Sequence, residues 1–494
     1  MSACRSGAGS ASTVRERKLP PKTCRLACAM VLNRLIAPAS EHAMPDWIRR
    51  SALADLLGRE LDAIDPPPLY RTLDRLYPHR AAIETALVAR ERSLFNLEPT
   101  LFLYDLTSTY FEGLANHNPK AKRGYSRDKR PDAKQVVIGL AIGREGFPVA
   151  HEIFAGNVQD RATLATMLDR LAERVGLPEG ATVVIDRGMA FDENLAEIQR
   201  RKLHYVVAAR QSERDRWLAE YDEAAGFTPV LRTPSPTNPA QKKTKVEVKL
   251  VRHESETHVL CVSQGRVQKD RAIRLKHEGR LLADLDRLRA RIEEGRLKKP
   301  PKISEAIGRL KERYPRVARY YDLAYDAAAQ ALCASRNEER HARAEQLDGC
   351  YLLKTSRSDL SAEEAWRIYA LLTRAEAAFR DMKSPLSERP IFHHKERRVE
   401  AHIFLCVLAF HLLIAIEHTL RSQGVHTSWA SLRDCLGTHQ ICTIVLPTTA
   451  GATLRIRKAS TPEPEHLEIY RLLGLPSEIM RPKKTWSEPA IAAA

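Results

Sequence analysis

The stretch from Thr100 to Arg210 constrains the fold most, because apolar β-branched runs alternate there with amphipathic helical ones. "TLFLYDLTSTYF" reads as a strand, and "KQVVIGLAIGREGFPVAHEIFAG" as two strands joined at a "REG" turn. "DRATLATMLDRLAERVG" has helical spacing, "ATVVID" is an apolar strand ending at Asp186, "DENLAEIQRRK" is helical again and "HYVVAAR" is another strand. The order is β-β-β-α-β-α-β. Its last two strands are apolar enough to lie centrally with both faces covered, which makes the fold class α/β.

Around this core the texture changes. Residues 24–98 are helical, in three segments separated by Pro-containing joints. Two readings stand for that region: a helix-turn-helix with Arg49, Arg50, Arg71 and Arg75 on phosphates, or solvated arginines on amphipathic helices. After Arg210 comes the Pro, Thr and Lys-rich "FTPVLRTPSPTNPAQKKTK", then a hairpin "VEVKLVRHESETHVLCVS" and charged helices over 271–295 and 304–313. Strand character returns at "GCYLLKTS". The segment "DLSAEEAWRIYALLTRAEAAFRDMK" predicts one long helix, begun by a Ser361/Glu364 capping box and stopped before Pro385. An apolar helix follows over 399–421, and the Pro- and Glu-rich tail beyond Lys458 is expected to be loosely ordered. The first 23 residues, lacking an apolar signal core, read as a disordered leader or a misplaced start and not as a signal peptide.

A chain of 494 residues that is 44% hydrophobic holds at least one large core, and its net charge of +17 favours polyanionic partners such as nucleic acid. Nine scattered cysteines suggest reduced thiols in the cytosol, with Cys24 and Cys28 as apolar helix residues and not zinc ligands. The apolar run "IFLCVLAFHLLIAI" is too short to span a bilayer and contains His411, so it reads as a core helix.

Three acids stand where structural economy would not put them: Asp105 inside "FLYDL", Asp186 at the end of "VVID" and Glu376 among the alanines of the long helix. An unpaired carboxylate on a buried strand costs on the order of several kcal/mol, so it calls for a cation or a metal. Each has an ordinary reading too: a turn with Thr107, Ser108 and Thr109, an Asx-turn before "RGM", and an exposed helix glutamate. Taken together, hard oxygen ligands of this kind suit Mg²⁺ or Mn²⁺. Two such ions about 3.5 to 4 Å apart activate the attacking and leaving oxygens of a phosphodiester. Tyr369 and Lys383 flank Glu376 at intervals of seven, and at about 100° per residue the three form one polar stripe, opposite Ile368, Leu371, Ala375, Ala378 and Met382.

"LYDLTSTYFEG", "GYSRDKRPDAKQVVIGLAIGREGFPVAHEIFAGNVQD", "VVIDRGMAFDENL" and "YALLTRAEAAFRDMKSPLSERPIFHHKERRVEAHIFLCVLAFHLL" together resemble the DDE insertion-sequence transposases, in the group with a Tyr-Arg-Glu-Lys signature helix. The resemblance implies an RNase H-like catalytic core interrupted by an insertion domain, with an all-helical N-terminal region. On this chain the division runs 1–23 leader, 24–98 helical region, 99–210 first part of the core, 211–349 insertion, 350–423 second part and 424–494 C-terminal region. It further implies that Asp105, Asp186 and Glu376 are the catalytic acids binding Mg²⁺ or Mn²⁺, without an organic cofactor. Tyr369 and Lys383 would contact DNA. The Arg position of the signature falls on Leu372, a departure, with Arg374 nearby as the substitute. The implied reaction is cut-and-paste transposition: cleavage at the ends of the element and strand transfer into target DNA. The implied partners are double-stranded DNA (terminal inverted repeats and target) and a second copy in a synaptic dimer, in a bacterial cytoplasm and not at a membrane.

Two alternatives are carried. One is a catalytically inactive, transposase-derived DNA-binding protein; the other, a phosphatase using Asp105 as nucleophile, is weakened by Thr107 standing where a companion acid is usual. His393, His394 and His402 read as DNA-facing or structural, and the basic stretch from Lys120 to Lys134 as substrate-holding or solvated charge.

Overall fold

The computed structural model describes residues 19–223, 225–232, 240, 244–253, 256–449 and 451–487. Most of the expected leader, and much of the Pro, Thr and Lys-rich loop, lie outside these residues.

Five helices open the described chain: α1 (Pro21–Ile36), α2 (Met44–Arg50), α3 (Leu53–Leu57), α4 (Pro66–Leu76) and α5 (Arg80–Phe95). Prolines stand in the first turns of α1 and α4, where their missing N–H has no intrahelical partner to lose. Leu69, Leu73 and Leu76 recur at helical spacing on α4, and all three are buried. Asn96, at φ 51°, closes α5 in the left-handed conformation that asparagine tolerates.

The central sheet begins with β1 (Leu101–Tyr110), β2 (Gln135–Gly143) and β3 (Pro148–Ala155), an antiparallel run. After α6 (Leu164–Val175), β4 (Thr182–Ile185) lies parallel to β1; after α7 (Asp192–Arg200), β5 (His204–Ala208) lies parallel to β4. Alternation along β1 serves two cores. Leu101 and Leu103 join the one shared with the later helices, while Phe102, Tyr104 and Leu106 join the one under α6 and α7.

Beyond β5 come α8 (Gln211–Arg214), α9 (Leu218–Asp222), β6 (Thr228–Leu231), β7 (Lys245–His253) and β8 (Glu256–Ser263). The hairpin expected here is β7–β8, and it does not form a sheet of its own. Strand β11 (Cys350–Thr355) pairs antiparallel with both β5 and β8, so one nine-stranded sheet runs β3-β2-β1-β4-β5-β11-β8-β7-β6. Between β8 and β11 the chain builds α10 (Gln264–Glu293), α11 (Pro300–Arg313), α12 (Pro315–Ala318), the hairpin β9 (Tyr321–Asp326) and β10 (Ala331–Arg336), and α13 (Glu338–Gln346). These close on a separate core around Leu281, Leu285, Ile303 and Leu323.

The long helix expected after β11 is two helices, α14 (Ala362–Ala370) and α15 (Thr373–Lys383). The Ser361/Glu364 capping box holds the start of α14. At the joint the hydrogen bonds tighten to 3₁₀ spacing: Leu372 N–H to Tyr369 at 3.0 Å and Arg374 N–H to Leu371 at 2.8 Å. The break lets each half follow its own part of a twisted sheet, α14 against β5, β7, β8 and β11, and α15 against β1 and β2.

Helix α16 (Glu396–Ser422) follows. It is long and apolar enough to cross a membrane, but 78% of its most apolar window is buried, and it packs on α1, α4, α15 and β3.

The chain ends in α17 (Trp429–Leu436), β12 (Ile441–Pro447), β13 (Thr453–Ala459), α18 (Pro464–Leu472) and β14 (Lys483–Ser487). The tail beyond Lys458 is therefore structured, contrary to its composition: α18 buries Tyr470 and Leu472, and β14 pairs with β13. Arg457 ties this unit to the N-terminal helices through Asp55 at 2.6 Å.

Candidate active site

Asp105 occupies the β1 face that α15 covers. Its place relative to Asp186 follows from register. Tyr104 and Ile185 are partners across the parallel β1–β4 pair, so Asp105 and Asp186 are the next residues on adjacent strands, whose axes lie about 4.8 Å apart. Strand β4 stops at Ile185, and Asp186, still extended at φ −81° and ψ 164°, turns the chain into the single 3₁₀ turn Arg187–Met189. Glu376 sits in the first turn of α15.

The other two carboxylates act on Asp105 electrostatically. Burial pushes the Asp105 carboxyl up to about 7; the nearby charges of Asp186 and Glu376 add to the rise, against the Leu106 N–H and the Arg127 guanidinium. That N–H donates to Asp105 Oδ1 at 2.7 Å. Arg127 is itself engaged by both oxygens of Asp160, at 2.7 and 2.8 Å, so it does not neutralise the three acids. A half-buried carboxylate crowded by two others and held by no cation of its own suits a divalent ion with oxygen preference.

Around them, the Tyr369 hydroxyl makes a long 3.5 Å hydrogen bond to Asp186 Oδ1, and burial, helped by Asp186, pushes the phenol above the usual tyrosine range. Arg187 Nε is buried beside this group without a hydrogen-bond partner. The structure thus brings Asp105, Asp186, Glu376 and Tyr369 together.

Lys383 and Arg374 are placed differently. Lys383 Nζ lies 2.8 Å from Asp128 Oδ1, and its side chain is 10% exposed. Arg374 turns to the carbonyl of Arg144 in the β2–β3 turn, and burial pulls its guanidinium below the usual range. Leu372, at the signature's Arg position, is buried.

Of the histidines, His393 and His402 join Glu41, with one ligand atom from each lying within 4.8 Å of the others. Arg34 fills that group: its guanidinium is 3.2 Å from His402 Nδ1 and 3.6 Å from Glu41, while His402 Nε2 meets the Glu388 carbonyl at 2.9 Å. Both ring nitrogens are used and a cation is already present, which fits a buried structural network.

In the basic stretch, Lys120 pairs with Glu396 and Glu400 and Arg130 with Glu112 and Asp132, so much of its charge is internally matched. The stretch folds back closely enough that a Cβ on Gly124 would lie 2.1 Å from the Gly156 carbonyl oxygen. Arg127, whose charge acts on Asp105, and Asp128, which pairs with Lys383, carried no individual signal in that charge run. The same holds for Arg266, near Tyr369, on a helix that reads as uniformly charged.

A family model described as "Transposase DDE domain" matches residues 98–412. No curated protein matches the chain. Among solved structures, "Cryo-EM structure of piggyBac transposase synaptic complex with hairpin DNA" is similar over 88% of this chain and 73% of its own, at 9% identity and a TM-score of 0.38.

Proposed function

The chain belongs to the DDE transposase family, and on that premise we propose that it cleaves DNA at the ends of an insertion sequence and joins the freed ends to target DNA by a cut-and-paste route. The observation that carries this reading is the convergence on Asp105 of the charges of Asp186 and Glu376, carboxylates brought by a strand, a strand end and a helix to one place. The strand order 3-2-1-4-5, antiparallel then parallel, supports an RNase H-like core, with residues 211–349 as its insertion.

In this reading Asp105, Asp186 and Glu376 hold Mg²⁺ or Mn²⁺. The chemistry that divalent metal supplies to such a carboxylate set is activation of the attacking oxygen and charge relief at the leaving one. The protein's part is placement: β1 and β4 fix two acids by register, and α15 docks the third. Asp105 would hold such an ion as the deprotonated carboxylate. Tyr369 orients Asp186, and Lys383 and Arg374 are the remaining signature-type residues of the Tyr-Arg-Glu-Lys group. A DNA-bound dimer in the bacterial cytoplasm completes the proposal.

The test is cleavage of DNA carrying the element's own terminal repeats with Mg²⁺ or Mn²⁺, comparing the wild type with Asp105→Asn, Asp186→Asn and Glu376→Gln. Cleavage that all three abolish while DNA binding persists is the expected result. Binding without wild-type cleavage would favour a non-catalytic DNA-binding protein, and cleavage that survives every substitution would mean that other residues do the chemistry.

A further inference from the structure

A hollow of about 410 Å³ begins at Asp186 and Tyr369, over a floor of Cys350–Leu352 on β11. It shares Gln211, Arg214 and Asp270 with a larger cleft of about 1080 Å³ enclosed by α10, α12 and α13, so the two form one continuous trough. Of the acids along it beyond Asp186, Asp270 accepts the Gly349 N–H at 3.1 Å, Asp215 faces Arg214 at 3.6 Å, Asp348 holds Arg274 at 2.6 Å, and Asp322 faces Arg340 at 3.4 Å. Part of its positive charge is left over. Arg187, Arg266, Lys269, Lys311 and Arg316 have no anionic partner among the described residues. Arg214 bridges the two halves, its guanidinium anchored on the carbonyls of Leu347 and Cys350 at 3.0 and 3.2 Å.

Cations that outnumber the acids of a concave surface focus a positive potential along it. A linear polyanion matches that shape better than a compact one. The entrance is the size of a small-molecule pocket, too small for a double helix whose major groove alone is about 12 Å wide. Arg266, 4.4 Å over the Tyr351 ring, adds the flat cationic surface on which unpaired bases stack.

We infer that this trough carries a single strand of DNA away from the three acids into the cleft of the insertion, its phosphates on cations that include these five. The inference rests on the reading of the acids as a DNA-cleaving site and names which form of the substrate lies beside them.

The experiment is a salt titration of binding by the full chain, in EDTA so that no cleavage occurs. The probes are a fluorescent twenty-nucleotide oligo-dT and a blunt duplex of the same length. Lys269→Ala, Lys311→Ala and Arg316→Ala are combined in one variant. Arg287→Ala with Arg289→Ala, which removes cations already paired with Asp284 and Asp286, is the control, and thermal melting checks that both variants fold. Each lost single-strand phosphate contact lowers the log–log salt slope by about 0.7, so the triple variant is expected to lose about 2 from its slope while the control keeps the wild-type value. An unchanged single-strand slope in the triple variant, or an equal loss on the duplex, overturns the inference. Because the readout needs no metal, a chain that shows the slope change yet never cleaves keeps the trough and loses the catalytic reading. Cleavage dependent on the three acids with an unchanged slope does the reverse.

Discussion

Lys383 Nζ stands 2.8 Å from Asp128 Oδ1, and the Arg389 guanidinium closes on the same oxygen of a carboxylate whose side chain is 2% exposed. A buried acid held by two cations is asymmetric in what its removal leaves. Asp128→Ala strands both cations and is expected to cost about 3 to 5 kcal/mol. Lys383→Ala leaves Asp128 still paired with Arg389 and is expected to cost less than half as much. Urea unfolding of the two variants checks this, and equal losses would mean that Arg389 does not share the load.

Asp105 gives a pH dependence with a definite sign. Its carboxyl keeps a proton up to about 7 in the folded chain, whereas the unfolded chain releases it near about 4. The folded state therefore binds more protons between those values, and metal-free stability falls as pH rises through that window. Asp105→Asn removes this loss, so at pH 8 without metal the variant is expected to melt several degrees above the wild type. Mn²⁺ at pH 8 should raise the wild-type melting temperature and leave that of the variant nearly unchanged. Below pH 7 the apparent Mn²⁺ affinity should fall about tenfold per unit, as the metal displaces one proton. Calorimetry at pH 6, 7 and 8 measures both effects, and a pH-independent affinity would argue that Asp105 takes no part in binding.

Much of this was legible because strands announce themselves by period and composition. Asp105 and Asp186 fall on β1 and just past β4, as their apolar runs predict. The joint at Leu371–Leu372 left no trace, since neither Pro nor Gly marks it; it arises because a straight helix cannot follow both halves of a twisted sheet. The structured tail was obscured by Pro464 and its neighbours, which read as disorder, although Pro464 begins α18 where a proline is tolerated. Charge runs were the least informative. Among the cations of Lys120–Lys134, only tertiary contacts separate Arg127, facing Asp160 and near Asp105, from Arg130, tied to Asp132.

The Tyr369 hydroxyl, 3.5 Å from Asp186, is too distant for a strong bond yet lies beside a charge. Tyr369→Phe is expected to weaken the Mn²⁺ midpoint by two- to tenfold, roughly 0.4 to 1.4 kcal/mol, with the melting temperature in EDTA nearly unaltered. A metal titration followed by cleavage rate reads this; a loss of a hundredfold or more would assign the phenol a role beyond orienting Asp186.

Leu372 and Arg374 make the signature departure a matter of packing. Leu372 is buried between α14 and α15 in the main core, so Leu372→Arg, which restores the family letter, places a charge among apolar neighbours and is expected to cost more than about 3 kcal/mol. Arg374, two residues on, satisfies the Arg144 carbonyl in the turn that Gly146 completes at φ +99°. Arg374→Ala is expected to lower stability by about 1 to 2 kcal/mol and to speed amide exchange in the β2–β3 turn. The salt slope of binding to terminal-repeat DNA should stay at the wild-type value. A slope that falls by about 0.9 in the variant would show instead that this arginine reaches a phosphate of duplex DNA, giving up its carbonyl when the substrate arrives.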